Sequence, residues 1–392
     1  MRHVDMLSSA ELAGKTCLIR ADYNCPLSDG VLTDTSRIDQ SLPGIKAVRE
    51  QGARLVLTSH LGRPKGQIVE ALSLTPVAEY VGRQLGCAVP VVDAEMGAEA
   101  LETNDVIMLE NLRFNPGEEQ NDPDFAARLA AIADIYINDA FSCAHRAHAS
   151  THAITSLLPS YAGSLLMREV SALKAALENP DRPVAAFVGG AKISTKLDVL
   201  RHLVSKVDHL FLGGGMANTF SAANGHHIGA SLYEPDMIAT AEQVMRLAET
   251  SGCRIHLPVD GIVAREFAAG ASSEVKMVTD RLNDDQMILD IGPASITAYL
   301  EVLGDVKTVL WNGPMGAFEL DGFATGTVTL ARAVAEMTES GQLSSVAGGG
   351  DTVAALNLAE CADSFSYVSL AGGAFLEWIE GKQLPGIAAL EG

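Results

Sequence analysis

The sequence predicts an α/β protein of two domains, each a mostly parallel sheet flanked by helices in the Rossmann-like manner, joined by a hinge helix. Three observations carry that prediction. Short apolar runs alternate with helical patterns along the whole chain, as in βαβ units. Nearly every run ends in a polar or glycine-rich motif. The 392 residues exceed one ordinary core, and about 150 residues per domain favours two.

The runs fall in two series. The first is Thr16–Arg20, Arg54–Thr58, Val89–Val92, Val106–Leu109 and Ile135–Ile137. The second is Val184–Val188, Leu210–Leu212, Arg254–Leu257, Thr308–Leu310, Ser345–Ala347 and Tyr367–Ser369. Open α/β sheets take ligands beyond the carboxyl ends of their strands, so two series imply two crevices. Between them, Tyr161 to Asn179 carries Leu165, Leu166, Val170, Leu173, Ala176 and Leu177 at roughly helical spacing and closes at Asn179-Pro180. It reads as a connecting helix, giving domains at 1–160 and 179–377 with the hinge at 161–178.

Composition narrows the class of partner. A chain 47% hydrophobic and 20% charged is globular, and its N-terminus lacks the apolar run of a signal peptide, so a soluble cytoplasmic protein is expected. No stretch reaches the length of a membrane span. The six cysteines form no C-x-x-C pair and read as reduced thiols. A formal net charge of −21 argues against nucleic-acid or anionic-membrane partners, and an anionic ligand would need basic residues gathered locally.

The first series gathers them. Its strand ends deliver Arg20, Asp22 and Asn24, then His60 and Arg63, then Arg113, and finally His145, Arg146 and His148, with Arg37 in the long turn after the first strand. Guanidinium forks grip carboxylate and phosphate oxygens in pairs, so five of them suit a small, multiply anionic ligand. For any single arginine, a solvated charge or a structural ion pair is the better reading; it is the gathering of five with three histidines that points to an anion site. His-x-x-His among arginines is a poor place for a metal cation.

The second series ends in glycines. Gly189 to Lys196 follows one strand, with Lys192 and Lys196 at helical spacing; Gly213-Gly214-Gly215 follows the next, where close helix packing is the alternative reading. Trp311-Asn312-Gly313-Pro314 and Glu319 come later, and Gly348-Gly349-Gly350-Asp351-Thr352 precedes the helical run from Val353. Glycine backbone approaches an anion closely, and a helix start adds unpaired N–H groups and a positive dipole end. Asp351 offers an oxygen to Mg²⁺ and Thr352 a hydroxyl. The alternative is an ordinary turn capped by Asp351. No Walker A loop, G-x-G-x-x-G opening or protein-kinase motif set is present.

In this order, from the Arg20–Leu27 motif to the Leu376–Gly386 motif, the chain resembles the phosphoglycerate kinase family over essentially its whole length. The resemblance implies reversible phosphoryl transfer between 1,3-bisphosphoglycerate and ADP, giving 3-phosphoglycerate and ATP, by a monomer that closes on its ligands. It implies that Asp22, Asn24, Arg37, His60, Arg63, Arg113 and Arg146 contact 3-phosphoglycerate, with Arg20, His145 and His148 as nearby basic residues. Lys196 would meet the transferring phosphates, with Lys192 close by. Gly213, Gly214 and Pro314 would border adenine and ribose, and Glu319 the ribose hydroxyls. Gly349, Gly350, Asp351 and Thr352 would serve the phosphates and Mg²⁺, with Asp351 as metal ligand. Arg37 and Lys196 would stabilise the transferring group beside a turn at Gly372 and Gly373, and a tail, 378–392, would return to the first domain.

The chain departs from the family pattern at Leu370-Ala371, where Thr-Gly is usual. An alanine replacing a glycine at positive φ would cost on the order of 1 kcal/mol, so altered nucleotide affinity is expected. Thr195 stands where many relatives have Asp and leaves both lysines in place. Two rival readings are a catalytically weak relative kept as a scaffold and a dehydrogenase-like dinucleotide binder, whose fingerprint is missing.

Overall fold

The computed structural model describes residues 1–391, in two compact units. One is Met1–Val170 together with the segment from Gln383; the other is Ser171–Lys382.

The first unit is built on a six-stranded, all-parallel sheet. In space its strands run Val91–Val92, Val106–Leu109, Arg54–Thr58, Thr16–Arg20, Ile135–Asn138, Ser160–Ala162. Thr16–Arg20 is buried along its length and pairs Thr16 with Arg54 on one side and Cys17 with Ile135 on the other. A strand covered on both faces needs apolar residues throughout rather than alternation, which is why Cys17, Leu18 and Ile19 stand in succession. The chain fills one side of this strand first and the other side last. The order therefore reverses beside Thr16–Arg20, and a crevice opens at the carboxyl ends there.

The second unit repeats the plan around Val184–Val188. Its parallel order is Arg254–His256, His209–Leu212, Val184–Val188, Thr308–Asn312, Ser344–Gly348, Tyr367–Ser369. Phe187 stacks between Phe211 and Trp311 at centroid distances of 4.5 and 4.3 Å, and the indole N–H is satisfied by the Gly313 carbonyl at 2.8 Å.

Several expectations shift. Tyr161 is strand, not helix: Ser160–Ala162 forms the sheet edge, and the connecting helix is Ser164–Leu177. The reason is local, because Asp139 accepts from the Leu165 and Leu166 N–H groups at 2.8 and 3.0 Å and fixes the helix start just after Gly163. A Cβ on Gly163 would lie 2.3 Å from that carboxylate. The unit boundary falls inside this helix, between Val170 and Ser171. Helix Gly372–Ile379 packs on helix Leu197–Leu203 and keeps residues to Lys382 with the second unit, so the return starts at Gln383 rather than 378. There Ile387 and Leu390 are buried, and Gly386 N–H bonds the Ala144 carbonyl at 2.9 Å.

An antiparallel sheet, Ser273–Met277, Asp260–Ala264, Met287–Ile291, was not anticipated from the sequence. No described helix is long and apolar enough to cross a membrane.

Candidate functional site

In the first unit, Asp22 leaves the Thr16–Arg20 strand end and pairs with Arg37, which sits in the first turn of helix Ser36–Glu50. Ser142 also donates to Asp22, and the Asn24 N–H bonds its other oxygen at 3.1 Å. Asn24 in turn accepts from Gly62 N–H at 2.8 Å, and Arg113 donates to the Gly62 carbonyl at 2.9 Å. Asp22, Asn24, Arg37 and Arg113 are thus linked, with Arg63 and Arg146 exposed on the neighbouring strand-end loops. Burial alone would push the Asp22 carboxyl up; the Arg37 charge, with hydrogen bonds from Ser142 and the Asn24 N–H, outweighs it and holds it below the usual range.

Three expected basic residues differ from the sequence reading. Arg20 is fully buried, its guanidinium spent on Ser150, Ala21, His60 and Cys143, so it is not an exposed anion ligand. His60 is buried and lies well below its ordinary pKa, through desolvation and then the Arg20 charge. His148 is driven down to about 4 by desolvation and by Arg113, Arg20 and Arg146, and is neutral. His145, half-buried, is among the charges that act on it. Asp22, His60 and Cys143 place ligand atoms within 4.8 Å of one another, yet Arg37 and Arg20 already occupy the first two.

In the second unit the strand ends nest as backbone. A Cβ on Gly189 would meet the Pro314 carbonyl oxygen at 1.7 Å, and Gly313 adopts φ 116°. Lys196 folds back onto this floor, donating to the Gly189 and Asn312 carbonyls at 2.7 and 2.9 Å. Lys192, expected at helical spacing with it, precedes the helix and is exposed. Gly213 is the N-cap of helix Gly214–Ala223.

Helix Gly350–Leu358 begins three residues earlier than expected, and of its three leading glycines only Gly349 takes positive φ, at 102°. Asp351 is therefore in the first turn, exposed, and not the cap. Thr352 is buried, its hydroxyl accepting from Gly313 N–H at 2.7 Å and tying this helix to the Asn312–Gly313 turn. Glu319 is exposed. Beside Gly214 a recess is walled by Ala217, Ile228, Val278, Leu282, Ile291 and Met315, none of them singled out from the sequence as a site residue.

The phosphoglycerate kinase family model matches residues 7–382. The chain belongs to the phosphoglycerate kinase family. It is 52% identical over 385 residues to phosphoglycerate kinase of Novosphingobium aromaticivorans, covering 97% of this chain and 98% of the relative. It is 54% identical over 391 residues to that of Ruegeria sp. strain TM1040, covering 98% of each. The structure of phosphoglycerate kinase from Coxiella burnetii matches with a TM-score of 0.92 at 41% identity, over 99% of this chain and 98% of that one. Membership in the phosphoglycerate kinase family makes the chain a phosphotransferase whose acceptor is a carboxyl group.

The departure from the phosphoglycerate kinase pattern at Leu370-Ala371 carries no backbone strain. Ala371 has φ −95° as N-cap of helix Gly372–Ile379, and neither Gly372 nor Gly373 is among the glycines at positive φ. The expected penalty does not arise, because this turn does not use the left-handed region.

Desolvation lowers Lys196 from 10.5 to about 8, with Asp351 opposing. The sign for folding follows: burying the ammonium costs stability in full below pH about 8, and the cost is relieved as pH rises from there toward 10.5. Bound phosphate would restore the charge, so ADP binding should take up a proton near and above pH 8. Its Kd should weaken by up to about tenfold per pH unit beyond that point. Calorimetry in buffers of different ionisation enthalpy reads this uptake; a Kd flat from pH 7 to about 9.5 would refute it.

Proposed function

We propose that the first unit binds 3-phosphoglycerate or 1,3-bisphosphoglycerate and the second binds Mg-ADP or Mg-ATP, and that the chain passes the phosphoryl group directly between them. The observation that carries this reading is the second crevice. A desolvated ammonium, Lys196, lies on a floor of glycine backbone within electrostatic reach of Asp351, which opens a helix N-terminus.

In this reading Arg63, Arg113 and Arg146 hold the anionic groups of the acid, while Asp22, Asn24 and His60 hydrogen-bond its hydroxyl and carboxylate. Gly213, Gly214 and Pro314 border the base and ribose, the recess beside Gly214 takes the base, and Glu319 takes the ribose hydroxyls. Lys192 lies near the phosphates. The N–H groups at Gly349 and Gly350 receive them, while Thr352 supports that helix start from beneath. Mg²⁺ arrives as part of the nucleotide substrate and meets the Asp351 carboxylate.

The attacking oxygen is already ionised, so no general base is needed; positioning and charge neutralisation supply the rate. Arg37 and Lys196 neutralise the transferring group, beside the helix start at Gly372 and Gly373. The enzyme works as a cytoplasmic monomer, and its charge of −21 disfavours nucleic acid.

The test is a coupled assay with Mg-ATP and 3-phosphoglycerate, in which turnover should require both substrates and the metal. Folded protein that binds both ligands without turnover would leave the scaffold reading. Transfer also needs reacting oxygens within roughly 3–3.5 Å, so the radius of gyration should fall when both ligands are bound.

A further inference from the structure

Beneath the first crevice lies a chain of buried polar groups that the transfer scheme does not use. Arg20 and Glu118 are both fully buried, and Ser150 stands between them. Its hydroxyl accepts from Arg20 Nε at 2.9 Å and donates to Glu118 Oε1 at 2.6 Å, while its N–H donates to Glu118 Oε2 at 3.0 Å. Tyr136 fixes the Ser150 carbonyl at 2.6 Å. At the other end of the guanidinium, Nη1 donates to the Ala21 carbonyl, and Nη2 donates to His60 Nδ1 at 3.1 Å and to Cys143 Sγ at 3.5 Å.

We propose that Glu118 is a positioning residue for substrate binding: through Ser150 and Arg20 it fixes His60 as a neutral ring protonated on Nε2, presenting a hydrogen-bond donor rather than a charge to the 3-phosphoglycerate crevice. The proposal rests on the reading that His60 contacts the acid.

The tautomer follows from donor counting. A guanidinium only donates and does not deprotonate, so the His60 nitrogen facing it must accept, which leaves the proton on Nε2. A protonated ring would aim one donor at another. Fixing the guanidinium is equally specific. Nε and both terminal nitrogens are engaged, and the fork cannot turn without breaking several bonds at once.

A buried cation also needs a counter-charge, and Glu118 is the carboxylate tied to it. The charged and titratable groups acting on His60 are Arg20, Asp22, Arg113 and His148; burial and Arg20 favour the neutral ring, and only Asp22 opposes. Burial pushes the Glu118 carboxyl up and Arg20 with the Ser150 bonds pulls it back, so the two buried groups face each other below the crevice, and the exposed or half-exposed positive charge there is carried by Arg37, Arg63, Arg113 and Arg146.

Nitrogen-resolved imidazole NMR of the full-length protein tests this directly. His60 should show the Nε2–H tautomer of an uncharged ring at pH 7, and its signals should move on adding 3-phosphoglycerate. Glu118→Gln and Ser150→Ala should each lose the single tautomer, raise KM for 3-phosphoglycerate about tenfold and leave kcat within about twofold. The proposal is overturned by a wild-type His60 that carries its proton on Nδ1 or is charged at pH 7. A folded variant whose KM rises while its His60 spectrum stays unchanged overturns it as well. Should neither variant fold, the wild-type tautomer decides. A single Nε2–H tautomer that ignores 3-phosphoglycerate would instead sink the placement of the acid in this crevice.

Discussion

Arg37→Ala is expected to lower kcat by about 10³-fold, equivalent to about 4 kcal/mol of transition-state stabilisation. Arg37 pairs with Asp22 at the first crevice, and its side chain keeps 32% exposure, so the guanidinium is anchored yet accessible to a ligand. The in-line arrangement, with charge spread over three equatorial oxygens between donor and acceptor, is reached only in the transition state, so the loss should fall on kcat and leave KM for 3-phosphoglycerate within a few fold. Arg37→Lys keeps the charge without the planar fork and should recover only part of the rate. Steady-state kinetics with both substrates varied is the measurement. A rise in KM at constant kcat would reassign Arg37 to ground-state binding.

Lys196→Met should separate catalysis from stability. The rate is expected to fall about 10²–10³-fold, the range seen when one pre-organised donor to developing charge is removed. Stability should move the other way or not at all. The ammonium is held in a site that lowers its pKa, so the folded protein bears a cost at neutral pH that methionine does not incur. Thermal unfolding at pH 7 should give a Tm equal to or above that of the parent, beside a collapsed kcat. A Tm several degrees lower would show that the bonds to the Gly189 and Asn312 carbonyls outweigh the desolvation.

Both predictions concern residues that were legible in the sequence, and the reason is proximity along the chain. Asp22 directly follows a strand end, Lys196 closes the loop from Val184–Val188 into helix Leu197–Leu203, and Arg37 opens the first long helix after Thr16–Arg20; the strands were readable because double-sided burial makes Thr16–Arg20, Arg54–Thr58 and Val184–Val188 almost continuously apolar. Val91–Val92 came out shorter than read, since Pro90 has no N–H for the ladder. Ser160–Ala162 has no pattern to read, and Ser273–Met277 is an edge strand mostly exposed and carrying charge.

Glu118 was invisible for a different reason. It and Glu119 are adjacent acids, yet one is fully buried and the other has 40% of its side chain exposed, a distinction made by Ser150 and Arg20 from distant parts of the chain. Protonation is as non-local as pairing. Counting His60 and His148 as basic follows from residue type, whereas their neutrality follows from burial first and then from the guanidiniums around them.

The nesting of Gly189 against Pro314 bears on how this enzyme can evolve. A methyl group at Gly189 has no volume to enter, one at Gly213 would lie 2.5 Å from the Met315 backbone, and one at Gly313 would lie 2.3 Å from the Gly189 carbonyl. These three positions are closed to drift, because each is held by main chain that no neighbouring substitution can withdraw. The recess walls at Val278 and Leu282 are side chains and remain free to vary. Change in this unit therefore has its raw material in the recess walls, while the backbone floor beside Lys196 resists any added side chain.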